Sequence, residues 1–96
     1  MDLEFTNNTD LGRYEAHGDG KLAALVAYSV EGDEFTILHT VVQSWAEGQG
    51  VGSALVRHVL DDVRARGGMR VRPVCTFAQA FLERHPEYDD LIVDAA

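Results

Sequence analysis

Two groups of residues have the types and spacing that could carry out chemistry. The first is the stretch Glu47–Val56, in which Gly48, Gly50 and Gly52 alternate directly before an amphipathic pattern. Glycine lets the backbone approach a ligand closely, and a helix that begins there leaves its first N–H groups unpaired at the positive end of its dipole. These features predict an anion-binding loop, whose usual occupant is phosphate or pyrophosphate. A tight strand-to-helix connection without a ligand is the alternative.

The second group consists of Cys75, the single cysteine, and His39, a histidine in a predicted strand. A thiol can act as a nucleophile toward an acyl group, and a histidine titrates in the range suited to a general base. Each residue also has a structural interpretation. A cysteine after an apolar strand is often an inert buried thiol, and a histidine at an inward-facing strand position can be a hydrogen-bonded core residue. The residues alone leave both alternatives open.

Length, charge and cysteine content limit the function classes. The chain has 96 residues, a formal net charge of −8 and one cysteine. We therefore predict a single domain spanning residues 1–96, no internal disulfide and a reducing compartment. The acidic balance, without any basic stretch, argues against nucleic acid as a partner. The chain starts without signal-peptide features and has no membrane-spanning run, so we expect a cytoplasmic protein with no membrane partner.

Three strands are predicted before the glycine loop. Asp10–His17 has weak strand character, Leu22–Val30 is a nearly unbroken apolar run typical of a central strand, and Glu34–Val42 follows as its antiparallel hairpin partner. After the loop, apolar residues recur at helical spacing as far as Gly67-Gly68, which predicts one long helix packed on the sheet. Its inward face comprises Val51, Leu55, Val56, Val59, Leu60 and Val63.

A strand and a helix are predicted after the long helix. Met69–Cys75 must run parallel to the third strand, because a helical crossover connects the two. Pro73 cannot donate to a ladder, so part of this strand must leave its neighbour. The helix opening at Thr76 is expected to bury Phe77, Ala80 and Phe81 and to stop at His85-Pro86. The predicted class is thus a mixed α/β (α+β) fold with the order β-β-β-α-β-α and a short helical or irregular tail.

Spacing separates three kinds of phosphate-binding loop. A Walker loop requires a Gly-Lys-Ser/Thr sequence, and no lysine lies near this loop. A dinucleotide fingerprint requires a third glycine or alanine three positions after the second, within βαβ units, whereas hairpins precede this loop. The pattern x-x-Gly-x-Gly at a strand-to-helix turn after an antiparallel meander is instead typical of the pyrophosphate loop of acyl-coenzyme A transferases.

Four segments together resemble a known family. They are Leu38-His39-Thr40, Gly48–Leu55, Pro73-Val74-Cys75 followed by Phe77, and Arg84-His85-Pro86-Glu87-Tyr88. With them the chain resembles a minimal GCN5-related N-acetyltransferase (GNAT), of the small single-domain branch sometimes called YjdJ-type. The resemblance covers roughly Arg13 to Val93. It implies a fold in which neighbouring parallel strands splay apart and acetyl-coenzyme A lies in the notch.

The resemblance also implies the roles of particular residues. The backbone of Gly48–Gly52 would hold the pyrophosphate, the strand end Thr40–Gln43 would pair with the pantetheine amides, and Cys75 and His39 would lie near the thioester. From its charge and position alone, rather than from the resemblance, Arg57 is expected to meet the adenosine phosphates. The acceptor would be a small-molecule or protein amine, and no metal is expected. The cofactor-binding set is Thr40, Val41, Val42, Gln43, Gly48, Gln49, Gly50, Val51, Gly52 and Ser53.

Two positions depart from the family pattern. Relatives commonly carry arginine where this chain has Glu47, and a carboxylate beside a pyrophosphate opposes binding unless it points into solvent. Relatives also tend to carry a carboxylate at the position of Val41, which could have served as a base. Three hypotheses follow: an N-acetyltransferase using direct transfer, a non-catalytic coenzyme A-binding module, and a small interaction domain with a vestigial loop.

Overall fold

A five-stranded mixed sheet forms the framework of the computed structural model, which describes residues 2–93. The strands are β1 (Leu3–Asn8), β2 (Arg13–Gly18), β3 (Lys21–Glu31), β4 (Glu34–Val42) and β5 (Arg70–Pro73), in the spatial order β1-β2-β3-β4-β5. The pairings from β1 to β4 are antiparallel and the β4–β5 pairing is parallel. The predicted mixed fold, with an antiparallel meander and one parallel pair, is confirmed.

Within residues 2–93, two α-helices and two 3₁₀ turns complete the architecture. Helix α1 (Val51–Arg66) connects β4 to β5, and helix α2 (Thr76–Glu83) follows β5. The 3₁₀ turns span Ser44–Ala46, before the glycine loop, and Pro86–Leu91, after α2. The two α-helices contact each other on one face of the sheet. Within the part of the chain that the structure describes, no helix is both long and apolar enough to cross a membrane.

Strand β1 is the element that the sequence analysis missed, so the order begins with four strands instead of three. Its inward-facing positions include Phe5, whose ring stacks on His58 of α1 with a centroid separation of 4.7 Å. Another is the polar residue Asn7, which accepts a hydrogen bond from the Tyr28 hydroxyl at 2.6 Å. A six-residue edge strand with an asparagine at one of its inward-facing positions leaves only Leu3 and Phe5 as an alternating apolar pair, which is too short a pattern to identify a strand.

Helix α1 supplies one side of the hydrophobic core. All of its predicted inward-facing residues are buried, and they pack with residues such as Val26, Phe35 and Ile37 of the sheet. The helix ends before Gly67, which has a positive φ of 75°, as predicted from the glycine pair. This packing fixes the position of the N-terminus of α1 relative to β4.

A β-bulge in β4 changes the direction of its side chains. Ala27 pairs with His39 and Tyr28 pairs with Ile37, so Leu38 is an extra residue on β4. Before the bulge, Phe35 and Ile37 face α1 and are buried. After it, Thr40 and Val42 take over that face, and the alternation places His39 on the other one.

Candidate active site

A groove of about 430 Å³ lies where the end of β4 meets the start of α1. One side is formed by Thr40 and Val42 and another by Phe77 of α2, while the loop from Ala46 to Ser53 closes the end at α1. The groove therefore joins a strand end, a glycine loop and a helix N-terminus. Of the predicted cofactor-binding residues, seven line it: Thr40, Val42, Gly48, Gly50, Val51, Gly52 and Ser53.

The glycine loop forms a cradle of backbone N–H groups. Gly48 and Gly50 have φ angles of 79° and 74°, in the left-handed region where glycine carries no Cβ penalty. Gly50 precedes the helix without any side-chain cap, and its carbonyl accepts the first helical hydrogen bond, from Ala54, at 3.0 Å. The N–H groups of residues 51–53 thus have no partner within the helix and point out of its positive end. This arrangement suits a bound phosphate group.

Strands β4 and β5 separate beside the groove. Their last paired residues are Ile37 and Pro73, and the Ile37 carbonyl accepts hydrogen bonds from the N–H groups of both Val74 and Cys75, at 3.0 and 3.2 Å. Strand β4 continues to Val42 without a described strand beside it on that side. Pro73 ends the pairing, as its missing N–H predicted. The free backbone of β4 beyond Ile37 can therefore pair with an extended ligand.

Cys75 lies where the two strands part. Its Sγ is 3.4 Å from Oγ1 of Thr40, a residue that lines the groove, and it immediately precedes helix α2. Partial burial raises the pKa of the thiol. Its contact with the Thr40 hydroxyl and the backbone N–H groups of Ala78 and Phe77 outweigh burial, so the net pKa is below the ordinary value. The thiol of Cys75 therefore loses its proton more readily than that of a free cysteine.

Three other predicted residues lie outside the groove lining. His39 and Val41 are exposed, because the bulge in β4 turns them toward the face that α1 and α2 leave open. The expectation of an inward-facing His39 was therefore wrong. The N–H of Gln43 donates to the Ala23 carbonyl at 2.8 Å, which ties that residue to β3. One extra residue in a strand moves every side chain after it to the other face of the sheet. The alternation of residue types in the sequence does not show where such an extra residue lies.

Gln49 and Arg57 also have other contacts. The Gln49 amide donates to the Trp45 carbonyl at 3.4 Å, across the base of the loop. The Arg57 guanidinium donates to the Tyr88 hydroxyl at 3.2 Å and lies 3.1 Å from Nδ1 of His85. These contacts hold Arg57 against the segment after α2, where it stabilises the packing of the helices.

Three residues of the groove lining, Ala46, Glu47 and Phe77, were not among the predicted site residues. Glu47 is exposed, and it is the only charged residue among those that line the groove within residues 2–93. Phe77 was expected in the core, but it is 37% exposed and forms a wall of the groove. The core positions of α2 are Ala78, Phe81 and Leu82. The predicted set of Phe77, Ala80 and Phe81 has the same spacing of three and four, so helical periodicity alone did not separate the two faces, and Ala80 is exposed as well.

The geometry brings together an N–H cradle, a strand end with free backbone groups and a thiol. Within residues 2–93, no three His, Cys, Asp or Glu side chains are arranged to hold a metal ion. The described site can therefore bind a phosphate-bearing ligand with an extended arm through its own backbone groups. The thiol of Cys75 lies at the opposite end of the groove from the phosphate cradle.

Comparison with known sequences identifies a family. A sequence profile of the family described as GCN5-related N-acetyl-transferase matches residues 13–91. That match includes β2 to β5, both α-helices and the whole groove lining. Among curated protein sequences, none matches this chain significantly.

Solved structures share the fold. A GCN5-like protein from Staphylococcus aureus is 26% identical, with a TM-score of 0.74 over 98% of this chain and 91% of that one. The ribosomal-protein-S18-alanine N-acetyltransferase from Escherichia coli is 29% identical, with a TM-score of 0.63 over 75% of this chain and 49% of the enzyme. N-acetylglutamate synthase from Neisseria gonorrhoeae, at 22% identity, has a TM-score of 0.62 over 82% of this chain and 22% of the synthase. The last comparison shows the fold alone.

Proposed function

Because the chain belongs to the GCN5-related N-acetyltransferase family, we propose that it transfers an acetyl group from acetyl-coenzyme A to an amine. The observation that carries the proposal is the glycine cradle at the start of α1, directly beside the gap between β4 and β5. A pyrophosphate and an extended pantetheine arm require these two features side by side. Acetyl-coenzyme A supplies the acetyl group as a thioester.

In this proposal, backbone groups do most of the binding. The N–H groups of Val51, Gly52 and Ser53 hold the pyrophosphate at the positive end of α1. The free backbone of Thr40–Val42 pairs with the amides of the arm, as an added strand would. Gln43 contributes less than the sequence suggested, since its N–H is already bonded to β3. The thioester then lies near Cys75, at the end of the groove away from the loop.

Direct transfer requires the amine to lose a proton and the departing thiolate to gain one. Cys75 is a titratable group in contact with Thr40, at the end of the groove away from the loop, and we propose that it delivers a proton to the leaving thiolate. His39 lies on the open face of the sheet, from which an amine could approach through the gap between the strands. We propose that His39 takes the proton of that amine.

The charge distribution favours a cationic acceptor. The sequence contains 16 acidic and 8 basic residues. Five of the arginines lie in salt bridges with carboxylates: Arg13, Arg57, Arg64, Arg66 and Arg72. The surface that remains is acidic, and it attracts a protonated amine while repelling anionic acceptors.

Isothermal titration with acetyl-coenzyme A tests the proposal. We expect saturable binding, and no heat at millimolar ligand would contradict the proposed function. Gly50→Val should abolish the binding, because a side chain at a φ of 74° distorts the cradle. Gly32→Val is the matched control: Gly32 also has a positive φ, 63°, and open space around it, but it lies in the turn between β3 and β4.

The route of the acetyl group is tested at Cys75. Direct transfer predicts that Cys75→Ala lowers kcat without abolishing turnover against a panel of amines. Intact-mass analysis of the wild-type protein after mixing with acetyl-coenzyme A should show no acetylated protein. An acetyl adduct on Cys75 would show that the thiol carries the group, and the direct route would then be wrong.

Glu47 favours a second candidate, a coenzyme A-binding module without catalysis. A carboxylate in the lining of an anion-binding groove is suited to weak, reversible binding more than to efficient turnover. Under this alternative, coenzyme A and acetyl-coenzyme A bind equally well and no amine is acetylated. Turnover of any amine in the panel, lost in His39→Ala while binding is kept, would exclude it.

A further inference from the structure

A second cavity, of about 690 Å³, lies between the outer edge of β5, helix α2 and the segment after α2. It shares no lining residue with the groove beside the glycine loop. The segment after α2 is fixed to β5, because the N–H of Val93 donates to the Val71 carbonyl at 2.8 Å and Ile92 forms a parallel bridge with Val71. The groups proposed to bind coenzyme A and to transfer the acetyl group leave this edge cavity unused.

Part of the lining of the edge cavity is a fixed apolar surface. It is supplied by Pro73, Leu82 and Ile92. Leu82 also belongs to the hydrophobic core and is only 8% exposed. The Gln79 amide donates to the Pro73 carbonyl at 3.0 Å, which ties α2 to the end of β5. An aliphatic chain can pack against such a surface while a charged group at its end stays near water.

The rest of the lining is mainly acidic. Three carboxylates and one guanidinium line the cavity: Glu83, Asp89, Asp90 and Arg70. The Arg70 guanidinium donates to a backbone carbonyl of the segment after α2 at 2.8 Å, and Asp90 is paired with Arg64 at 2.6 Å. Glu83 and Asp89 are exposed and form no ion pair within residues 2–93. These two carboxylates can therefore receive a cationic group.

The charge of the lining limits what can occupy the cavity. A second copy of this chain has a formal net charge of −8 and is repelled by an acidic surface. A metal ion does not fit either, since no three His, Cys, Asp or Glu side chains in the described part of the chain are arranged to hold one. The combination of apolar surface and carboxylates instead matches a lysine or arginine side chain, which has an aliphatic stem and a cationic head.

The edge cavity adjoins the gap between β4 and β5. Pro73 lines the cavity and is also the last residue of β5 that pairs with β4. Cys75 follows two positions later, which is at most about 7 Å along an extended chain. A ligand in the cavity therefore lies next to the place where the proposed transfer to an amine occurs.

We propose that the edge cavity binds a basic side chain of a polypeptide acceptor, close in sequence to the residue whose amine is acetylated. This inference rests on the proposed function and names its acceptor class. A basic residue two positions from the acetylated residue lies about 7 Å from it, which matches the separation of Pro73 and Cys75. Its stem packs on the apolar surface, and its charged head pairs with Glu83 and Asp89. A small monoamine cannot occupy both places at once.

Two heptapeptides with blocked ends test the inference. Both carry one central lysine as the acceptor and glycine at most other positions. One has arginine two positions to each side of the lysine, and the other has glutamine there. The anisotropy of dye-labelled peptides, measured at low salt with coenzyme A present, should show about fivefold tighter binding of the arginine peptide. Steady-state acetylation should show the same preference in kcat/KM, through KM and not through kcat.

A double variant tests the two carboxylates. Glu83→Gln with Asp89→Asn should reduce the preference for the arginine peptide to less than about twofold, because both partners of the cationic head are removed. Both residues are exposed, so the variant should fold. The matched control is Glu31→Gln with Asp10→Asn, which removes two exposed carboxylates outside the lining and should keep the fivefold preference. The comparison separates the cavity from the net charge of the protein.

The outcomes distinguish this inference from the proposed function. Equal binding of the two peptides to the wild-type protein, or an equal loss of preference in both double variants, would show the inference to be wrong. Displacement of the arginine peptide by an equal concentration of spermidine would reveal a polyamine site and would also overturn it. Preferential binding without acetylation of either peptide would support the role of the cavity and contradict the proposed function.

Discussion

The pKa of the Cys75 thiol depends on neighbouring groups that the sequence alone does not identify. The Thr40 hydroxyl and the first N–H groups of α2 favour the thiolate, and together they outweigh the effect of partial burial on the pKa. The sequence contained the cysteine but not its partner, because Thr40 is remote along the chain and belongs to another strand. A lowered thiol pKa is consistent with a residue that gives up a proton more readily than a free cysteine does.

Alkylation of Cys75 tests this environment directly, because the protein has only one cysteine. The rate of reaction with iodoacetamide should rise with pH around a midpoint below that of a free cysteine, since the thiolate is the reactive form. Thr40→Val removes the hydroxyl and should move the midpoint to higher pH. Thr40→Ser keeps the hydroxyl and should leave it unchanged. A shift in Thr40→Ser without one in Thr40→Val would mean that the methyl group, and not the hydroxyl, controls the thiol.

Glu47 contributes a negative charge to the lining of the groove. We predict that Glu47→Gln tightens coenzyme A binding about threefold and that Glu47→Arg tightens it about tenfold or more, because the like-charge repulsion is first removed and then replaced by attraction. Calorimetry at low and high salt should show these gains shrinking as salt increases. Glu83→Gln, an exposed carboxylate on α2, is the control. Weaker binding in both Glu47 variants would mean that the carboxylate supports the loop conformation.

At the scale of elements, the position of α1 on the sheet determines the site. The helix is tied to β2 by Tyr14, which is almost fully buried and whose hydroxyl donates to Asp62 and accepts from Arg66 at 3.2 Å. Burial and the bond to Asp62 both raise the pKa of Tyr14 well above its ordinary value, so the hydroxyl stays protonated and keeps donating. The polar side chains on the outer face of α1 thus orient the helix that carries the cradle.

Tyr14→Phe should lower the free energy of unfolding by about 1–2 kcal/mol. The substitution removes the hydrogen bond from the hydroxyl to the charged Asp62 carboxylate, while the ring stays packed in the core. Urea denaturation followed by the fluorescence of Trp45, the single tryptophan, measures the loss. The urea dependence of the free energy should not change. Tyr14→Phe in an Asp62→Ala background should cost less, since the partner is already gone. Identical costs in both backgrounds would rule out the proposed coupling.

Element prediction succeeded where one face of a long segment is buried. The long helix, the central hairpin and the parallel crossover strand all follow from strong periodicity or from connection rules. Strand β1 was missed, since an edge strand with a polar inward-facing residue has little periodicity. The bulge in β4 was missed as well, and it reversed the orientation of His39. Bulges depend on pairing with the neighbouring strand, which no single segment encodes.

At the scale of the whole molecule, acidic residues outnumber basic ones, and one of the carboxylates is buried at the sheet and paired with an arginine. Glu15 on β2 is only 8% exposed, and its carboxylate accepts hydrogen bonds from Arg13 at 2.7 Å and from Asn8 at 3.1 Å. The bond from Arg13 is the main reason that the pKa of Glu15 is below its ordinary value. This carboxylate joins β1 and β2 on the face that the α-helices leave open.

The lowered pKa predicts a dependence of stability on pH. A depressed carboxyl pKa stabilises the folded state above the unfolded pKa, and this stabilisation is lost as the pH falls through the folded pKa. Glu15→Gln should therefore be less stable than wild type by about 1 kcal/mol at pH 7, with a smaller difference in acid. Urea denaturation at pH 7 and about pH 3 measures both values. Glu4→Gln, an exposed carboxylate on β1, should show little difference at either pH, and a deficit for Glu15→Gln that grows in acid would contradict the assignment.

The sequence by itself determined the fold class, the glycine cradle and the family, because each depends on local spacing. Glycines at positive φ, apolar residues at helical intervals and Pro73 at the strand end act within a few residues of their own positions. The tertiary structure alone decided which side chains face the groove. Thr40 beside Cys75, Phe77 over Gly52 and His39 on the opposite face result from a bulge and from packing between distant segments. Such contacts depend on the mutual positions of β4, α1 and α2, which no local pattern specifies.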